Sequence, residues 1–228
     1  MRAISFERQV LKHPAGSCLA SFGDTRVLCT ATISEGVPPF LTGKGRGWLT
    51  AEYAMLPAST HTRKRREIGK RDGRSIEIQR LIGRSLRAAV RLEDLGEVTV
   101  FVDCDVMQAD GGTRTTAISG SYVALYDALG RLAAERGMDG PEPFLTGQMA
   151  AVSVGIVGGE VVCDLDYAHD STADVDMNIV MCGDEFVEVQ GTGEQGTFSR
   201  SQVDALLDSA HAGIKQIYQA QRSALGLG

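Results

Sequence analysis

The amino-acid sequence predicts an α+β fold in which helices cover one or more mixed β-sheets. Two observations carry this prediction. Local patterns follow the order β-rich segment, helix, strand, helix, β-rich segment, and a long helix closes the chain. The 228 residues, 43% of them hydrophobic, are also enough to bury a sizeable core. We therefore expect one domain over residues 1–228.

The first part of the chain has the pattern of β-strands. Two apolar runs, Cys18–Phe22 and Arg26–Ile33, flank the turn residues Gly23-Asp24-Thr25, which predicts a hairpin. A glycine-rich loop at 43–47 follows, and a short strand is expected over Trp48–Tyr53. The first part of the chain is therefore predicted to contribute at least three strands.

Two helices and a strand are predicted in the middle of the chain. Ser75 is the expected N-cap of the first helix, with Glu77 in its first turn. A strand is expected over Val98–Val106, and the second helix after Gly111-Gly112. The apolar positions that predict these helices are Ile76, Leu81, Ile82, Leu86, Ala89 and Val90 in the first, and Ala117, Val123, Ala124, Leu125, Ala128 and Leu132 in the second.

The last part of the chain is predicted to be β-rich before it ends in a helix. Ser199 and Gln202 form a capping-box pattern at the start of that helix, which is expected to reach Leu225. The expected strands cover Met149–Val157, Val161–Asp166, Val175–Met181 and Glu185–Gln190, the first two joined through Gly158-Gly159.

Charge is distributed unevenly along the chain. The formal net charge is −6, which by itself argues against a nucleic-acid partner. Residues 61–74, however, hold seven cations and two acids, so this basic loop carries +5 and the remainder −11. Such a concentration is typical of a phosphate-binding surface, although a solvated loop would carry the same charge. The cations of the basic loop are Arg63, Lys64, Arg65, Arg66, Lys70, Arg71 and Arg74.

The segment Asp110–Thr115 lies between a predicted strand and a predicted helix. Its glycine pair allows a ligand to approach the backbone closely, and the helix start offers free N–H groups and partial positive charge. Arg114 and the threonine hydroxyls add donors. The spacing is not that of a P-loop. The segment indicates an anion site, with a plain helix start capped by Asp110 or Thr113 as the alternative.

Five aspartates fall within thirteen residues near the predicted strand at 175. Asp174 and Asp176 alternate with apolar residues, so both are expected on one face of that strand. Carboxylate oxygens suit Mg²⁺, which phosphoryl transfer uses to offset developing charge. A solvent-facing strand and turn would look the same. The five are Asp164, Asp166, Asp170, Asp174 and Asp176, and Asp103 and Asp105 form a second same-face pair.

Other polar patterns favour structure over chemistry. Five widely spread cysteines form no C-x-x-C pair, so neither zinc nor a disulfide framework is expected. Among the four histidines only His169, beside Asp170, lies near a candidate site. The N-terminus lacks the apolar stretch of a signal peptide, so a cytoplasmic protein is expected. Arginines at 80, 84, 87 and 91 share one helix face, most simply a solvated one with salt bridges.

Taken together, several motifs resemble the ribonuclease PH family over nearly the whole chain. Their order and spacing agree with that family and look like a bacterial member. The motifs are Val37–Leu41, Gly47–Tyr53, Glu77–Arg84, Asp103–Val106, Gln108–Thr115, Asp174–Asn178 and Phe186–Thr192.

The resemblance implies a fold and an activity. The fold would be the ribonuclease PH type, like domain 2 of ribosomal protein S5, with two β-α-β-like halves assembled as a hexamer of three dimers. The activity would be phosphate-dependent 3′→5′ removal of nucleotides from tRNA precursors and other RNA 3′ ends, which releases nucleoside 5′-diphosphates.

The resemblance also assigns residues to roles. Phosphate would be bound by Arg74, Gly112, Thr113 and Arg114. Asp170 and Asp176 would serve in acid/base chemistry and hold the divalent cation, with Mg²⁺ expected. RNA would be bound by Arg63 and Arg66, with Lys64 and Arg65 beside them. Membrane association is not expected.

The chain departs from the family pattern at a few places. Thr42 and Ala58 stand where the family commonly has arginines, so RNA affinity is expected to rely more on Lys64 and Arg65. The family also commonly begins with a further segment containing Asp-Gly-Arg. Two alternative functions follow from the sequence: a catalytically silent RNA-binding subunit of an exosome-like ring, and a hydrolytic nuclease that uses two metals on the acidic cluster.

Overall fold

The described part of the chain contains two β-sheets, four α-helices and a short 3-10 helix at Glu142–Phe144. The computed structural model describes residues 1–67, 69 and 72–228. The N-terminal half carries a five-stranded sheet and the C-terminal half a four-stranded sheet, each covered by helices. This arrangement confirms the predicted α+β class.

The N-terminal sheet is mixed. Its strand order is β1-β2-β3-β5-β4, and all neighbours are antiparallel except β4 and β5. The parallel pair is connected through helix α1, as a parallel pair requires a crossover. The elements are β1 (Ile4–Arg8), β2 (Gly16–Phe22), β3 (Thr25–Glu35), β4 (Trp48–Met55), α1 (Gly73–Ala88) and β5 (Val98–Gln108).

The C-terminal sheet is antiparallel, with the strand order β7-β6-β8-β9. Its strand β8 is central, and β6 is buried over nearly its full length. A four-residue helix lies between β7 and β8. The elements are β6 (Met149–Val157), β7 (Glu160–Cys163), α3 (Tyr167–Asp170), β8 (Val175–Cys182), β9 (Glu185–Gly193) and α4 (Arg200–Leu225).

Helix α2 (Thr113–Glu135) packs against strands of both sheets. Gly120 allows the close approach on one side, because a Cβ there would lie 2.5 Å from the Cβ of Ala20. On the other side, the backbone N–H of Ala151 donates to Ser119 Oγ over 3.0 Å. The buried Gln221 of α4 donates to the carbonyl oxygens of Ser119 and Met149, both at 2.9 Å. One apolar core therefore runs through both halves.

The structure corrects several predicted boundaries. Helix α1 begins at Gly73, and its N-cap is Asp72, whose carboxylate accepts from the amide of Arg74. Ser75 is inside the helix and donates its hydroxyl to Glu67 over 2.7 Å. Glu77 consequently lies beyond the first turn. The predicted capping box of α4 is confirmed, with Ser199 as N-cap. Strand β1 and helix α3 were not predicted.

All five cysteines are free thiols, and three of them are buried. Burial raises the pKa of Cys18 to about 12, which keeps that thiol protonated and unreactive.

In the part of the chain that the structure describes, no helix combines the length and apolar character needed to cross a bilayer.

Candidate active site

A cleft of about 1010 Å³ lies between the two halves. The N-terminal half contributes the start of α1, the turn before α2 and part of the basic loop, and the C-terminal half contributes α3 and strands β8 and β9. The cleft therefore collects residues that are far apart in sequence. Most of the residues singled out from the sequence line it.

The turn before α2 forms one wall of the cleft. Gly111 and Gly112 have φ values of 72° and 61°, a region that suits glycine. A Cβ at Gly111 would lie 2.4 Å from the carbonyl oxygen of Leu165, so no other residue fits. Thr113 Oγ1 accepts from the buried Tyr53 hydroxyl over 2.9 Å. No side chain caps α2, so its first N–H groups stay available to an anion.

Two arginines are placed at the starts of two helices. Arg74 is the second residue of α1 and Arg114 the second of α2, and both line the cleft. Arg114 Nη1 donates to Glu77 Oε1 over 3.2 Å and to Gln190 Oε1 over 3.0 Å. Gln190 in turn donates to Glu77 over 3.3 Å. Glu77, predicted only as a helix-start charge, thus orients Arg114, and Gln190 was predicted in a strand but not as a site residue.

Asp170 and Asp176 face these arginines. Burial raises the pKa of Asp176 to about 6; the charge of Asp170 adds to the rise, and Arg114 opposes it. Burial likewise raises the pKa of Asp170, which Arg74 and Arg114 lower. Asp176 Oδ1 is buried without a hydrogen-bond partner among the described residues. An unsatisfied carboxylate oxygen beside a second carboxylate fits a cation bound mainly through water.

Asp174 does not line the cleft. Strand β8 begins one residue later, and the backbone of Asp174 is bound instead, its N–H to Ile156 and its carbonyl oxygen to the N–H of Glu194. Asp174 therefore lies outside the cleft lining, and the same-face pair stays a prediction. The residue that alternates with Asp176 toward the cleft is Asn178, which is buried.

The remaining acids of the cluster have structural roles. Asp166 is the N-cap of α3 and accepts from the amide of His169 over 2.9 Å and from its Nδ1 over 2.8 Å. These contacts lower the pKa of Asp166, and the hydrogen bond from the His169 backbone N–H has the largest effect. His169 therefore pairs with Asp166 and not with its neighbour Asp170. No group of three or more His, Cys, Asp or Glu side chains that could hold a metal occurs among residues 1–67, 69 and 72–228.

A buried ion pair supports the site from behind. Arg2 Nε lies 3.0 Å from Asp164 Oδ2, Arg2 Nη2 lies 2.6 Å from Oδ1, and the Arg2 backbone N–H also donates to this carboxylate. The Asp164 side chain is fully buried, and its φ is 66°. Arg2 Nη1 also donates to the carbonyl oxygen of Asp110. Arg2 therefore joins the segment that leads to α3 with the glycine turn. No local sequence pattern indicates this role.

Among the described residues of the basic loop, only some reach the cleft. Lys64 lines it, and its Nζ lies 3.9 Å from Asp72 Oδ2. Arg63, Arg65 and Arg66 are exposed outside it. Arg66 lowers the pKa of Asp105, which burial raises. The predicted cations Lys70 and Arg71 lie outside the described residues.

The arginines of α1 do not share one role. Arg84 forms two hydrogen bonds with Glu188 of β9, at 2.8 and 2.7 Å. Arg87 packs over the Trp48 ring and donates to the Leu49 carbonyl oxygen. Arg91 binds carbonyl oxygens beyond the helix. The expected solvated face with salt bridges therefore holds for Arg84 but not for the whole series.

These features define a class: α+β proteins of two halves, with a cleft between them that is lined by the starts of two helices. The sequence profile of domain 1 of the 3′ exoribonuclease family matches residues 1–129, and that of domain 2 matches residues 147–213. The chain belongs to this family, the ribonuclease PH family.

Solved structures have the same fold. Rice (Oryza sativa) Rrp46 superposes with a TM-score of 0.78 at 18% identity, over 99% of this chain and 95% of the rice chain. A chain of the Archaeoglobus fulgidus exosome, solved with RNA bound to its active site, gives a TM-score of 0.78 at 24% identity. That match covers 96% of this chain and 87% of the archaeal one. The ribonuclease PH-type fold is thereby confirmed.

Proposed function

We propose that this protein is a phosphate-dependent 3′→5′ exoribonuclease that trims the 3′ ends of tRNA precursors. One observation carries the proposal: two arginines at helix starts and two partly buried carboxylates line one cleft. A cleft that binds anions on one side and holds acids on the other suits attack by an anion on a phosphodiester.

The phosphate site is assigned to Arg74, Gly112, Thr113 and Arg114. The uncapped start of α2 offers N–H groups, and the two guanidinium groups add charge-assisted hydrogen bonds. Glu77 and Gln190 hold Arg114, so its geometry is set before phosphate binds. A preorganised site of this kind avoids part of the cost of ordering its side chains during the reaction.

In the proposed reaction an oxygen of inorganic phosphate attacks the phosphorus of the last phosphodiester. The bond from that phosphorus to the 3′ oxygen of the preceding nucleotide breaks. Asp170 passes a proton to this oxygen, since burial raises its pKa, and the attacking hydrogen phosphate returns a proton to Asp170. The products are a nucleoside 5′-diphosphate and an RNA one nucleotide shorter with a free 3′ hydroxyl.

A divalent cation, with Mg²⁺ the expected ion, is assigned to Asp170 and Asp176. When bound, it would offset the charge that develops on the reacting phosphoryl group. The unpartnered Oδ1 of Asp176 supports this assignment because a cation, or a water that a cation holds, would satisfy it. Asn178, next on the same strand face, adds an uncharged polar group to this wall.

The RNA body is assigned to Arg63, Lys64, Arg65 and Arg66. Three of these are exposed, and Lys64 connects them to the cleft. We infer a cytoplasmic homohexamer, a trimer of dimers, that presents six basic loops around an opening. Several phosphates contacted together would make RNA binding steeply dependent on salt.

A catalytically silent RNA-binding subunit of an exosome-like ring is the second candidate. The structural neighbours, exosome chains, fit it as well as they fit the enzyme. The assembled acids and arginines favour the enzyme, because a silent subunit has no need of them. A hydrolytic two-metal nuclease, the third candidate, would not need the anion site.

Product analysis separates the three. RNA with a 3′ hydroxyl is incubated with the protein and Mg²⁺, with and without inorganic phosphate. We expect nucleoside diphosphates that form only with phosphate. Monophosphates formed without phosphate would establish hydrolysis, and RNA binding with no product in either condition would establish the silent subunit.

A further inference from the structure

Two aromatic side chains meet in the cleft without a role in the chemistry proposed above. The ring centroids of His61 and Tyr167 lie 5.9 Å apart with an angle of 58° between the planes. Both residues line the cleft, and Tyr167 is 54% exposed. Aromatic rings of this size are usually buried on most of their surface, so an exposed pair inside a cleft favours a ligand.

The pair bridges the two halves beside the proposed chemistry. Tyr167 is the first residue of α3 and Asp170 the fourth, so their Cβ atoms lie about 5–6 Å apart on one side of a helical turn. The amide of Tyr167 is 3.4 Å from Asp110 Oδ1, which ties α3 to the glycine turn. His61 belongs to the basic loop, two residues before Arg63. RNA that passes from the loop to the acids would therefore pass these rings.

The cleft has room for more than phosphate. Its volume of about 1010 Å³ is that of a site for a drug-sized ligand, far above the need of one anion and one cation. A terminal nucleotide adds a sugar and a base to the reacting phosphodiester. An enzyme that removes every nucleotide in turn needs a base contact that reads no sequence, and stacking on an aromatic ring is such a contact.

We propose that His61 and Tyr167 form a stacking platform for the base of the 3′-terminal nucleotide. The proposal rests on the proposed function, which places that nucleotide in the cleft. The platform binds the base through its π-face, so all four bases are accepted. The two residues are positioning residues: they hold the terminal nucleotide so that its phosphodiester meets phosphate and Asp170.

The first test measures stacking without turnover. RNA that carries 2-aminopurine at its 3′ end is titrated with the protein in the absence of phosphate. We expect its fluorescence to be quenched by the wild type and by Tyr167→Phe, which keeps the ring, and much less by Tyr167→Leu or His61→Leu. Phe40→Leu is the matched control, because Phe40 is 58% exposed and pairs with Trp48 at 5.5 Å outside the cleft.

The second test separates the base from the rest of the nucleotide. Loss of one stacked base is worth about 1–3 kcal/mol, so Tyr167→Leu should raise KM for RNA by about 5- to 150-fold. KM for phosphate should not change. RNA with an abasic 3′ residue should lose a similar factor in the wild type and nothing further in Tyr167→Leu.

The outcomes distinguish this proposal from the proposed function. Quenching by Tyr167→Leu equal to that of the wild type overturns the platform, as does an equal loss on normal and abasic RNA. If the wild type releases no diphosphate but quenches through Tyr167, the enzyme assignment fails and the platform stands. Circular dichroism of each variant confirms that it is folded before binding is compared.

Discussion

Replacement of Asp164 by Asn tests whether the ion pair behind the cleft maintains the phosphate site. Asn is the appropriate change, because it tolerates the left-handed backbone, here with φ of 66°, better than most residues. The substitution removes the charge and one acceptor oxygen while it keeps the shape. Arg2, only 15% exposed, then lacks its counter-charge.

The magnitude follows from burial. Removal of one partner of a buried pair costs about 3–5 kcal/mol. Asn can still accept one of the bonds that Arg2 donates, which recovers about 1 kcal/mol. We therefore expect the free energy of unfolding to fall by about 2–4 kcal/mol. Because Arg2 also binds the Asp110 carbonyl oxygen, the glycine turn should shift, and affinity for phosphate should fall by about tenfold or more.

A second ion pair offers a matched control. Arg8 Nε lies 3.1 Å from both carboxylate oxygens of Asp127, whose side chain is 8% exposed, and neither residue lines the cleft. Asp127→Asn should lose a comparable amount of stability with KM for phosphate unchanged. Urea unfolding and phosphate-dependent product formation are measured for both variants. Equal KM values for phosphate in the two variants would refute a role of Arg2–Asp164 in the site.

Four further predictions follow from the site. Arg74→Ala and Arg114→Ala should each raise KM for phosphate by about 10- to 150-fold, since a charge-assisted hydrogen bond is worth about 1.5–3 kcal/mol; unchanged phosphate dependence would remove that residue from the site. Asp170→Asn and Asp176→Asn should abolish turnover in a phosphorolysis assay and keep RNA affinity within a few-fold, whereas Asp174→Asn should stay active. In metal-free protein, the pKa of Asp176 is raised from 3.8 in the unfolded chain to about 6 in the folded protein. The free energy of unfolding therefore falls as pH rises from 3.8 towards 6. Asp176→Asn should therefore be the more stable protein in urea at pH 8, by about 3 kcal/mol, with little advantage at pH 4. Light scattering should find a hexamer, and a fully active monomer would contradict the assembly.

Local sequence patterns predicted most of the fold, because the apolar residues of these strands and helices recur at the spacing typical of each element. The α4 capping box illustrates this, since Ser199 and Gln202 satisfy each other within one turn. The start of α1 was placed too late, because Asp72 and Ser75 are both favourable N-cap residues. The two are distinguished only by tertiary structure, in which Ser75 donates its hydroxyl to Glu67. Strand β1 has five residues at a sheet edge and alternates too briefly to be recognised.

The site was predictable where a residue acts through its own motif, and not where it acts through a distant partner. The glycine turn was predicted from its own motif, and the pair Asp170 and Asp176 from the resemblance to the family; all of them line the cleft. Gln190 and Arg2 were missed, because each contacts residues far away in the chain. No local spacing records such contacts.

Helix α2 has a consequence for how the protein folds. Every residue from 115 to 125 is buried, so this stretch of the helix has no solvent-exposed face and must be covered by both sheets. Neither half would keep a closed core if the chain were cut near Gly137, although each half matches its own family profile. We expect urea to unfold the two halves in a single cooperative transition. Separately expressed halves should be insoluble, or should become soluble only when they are refolded together.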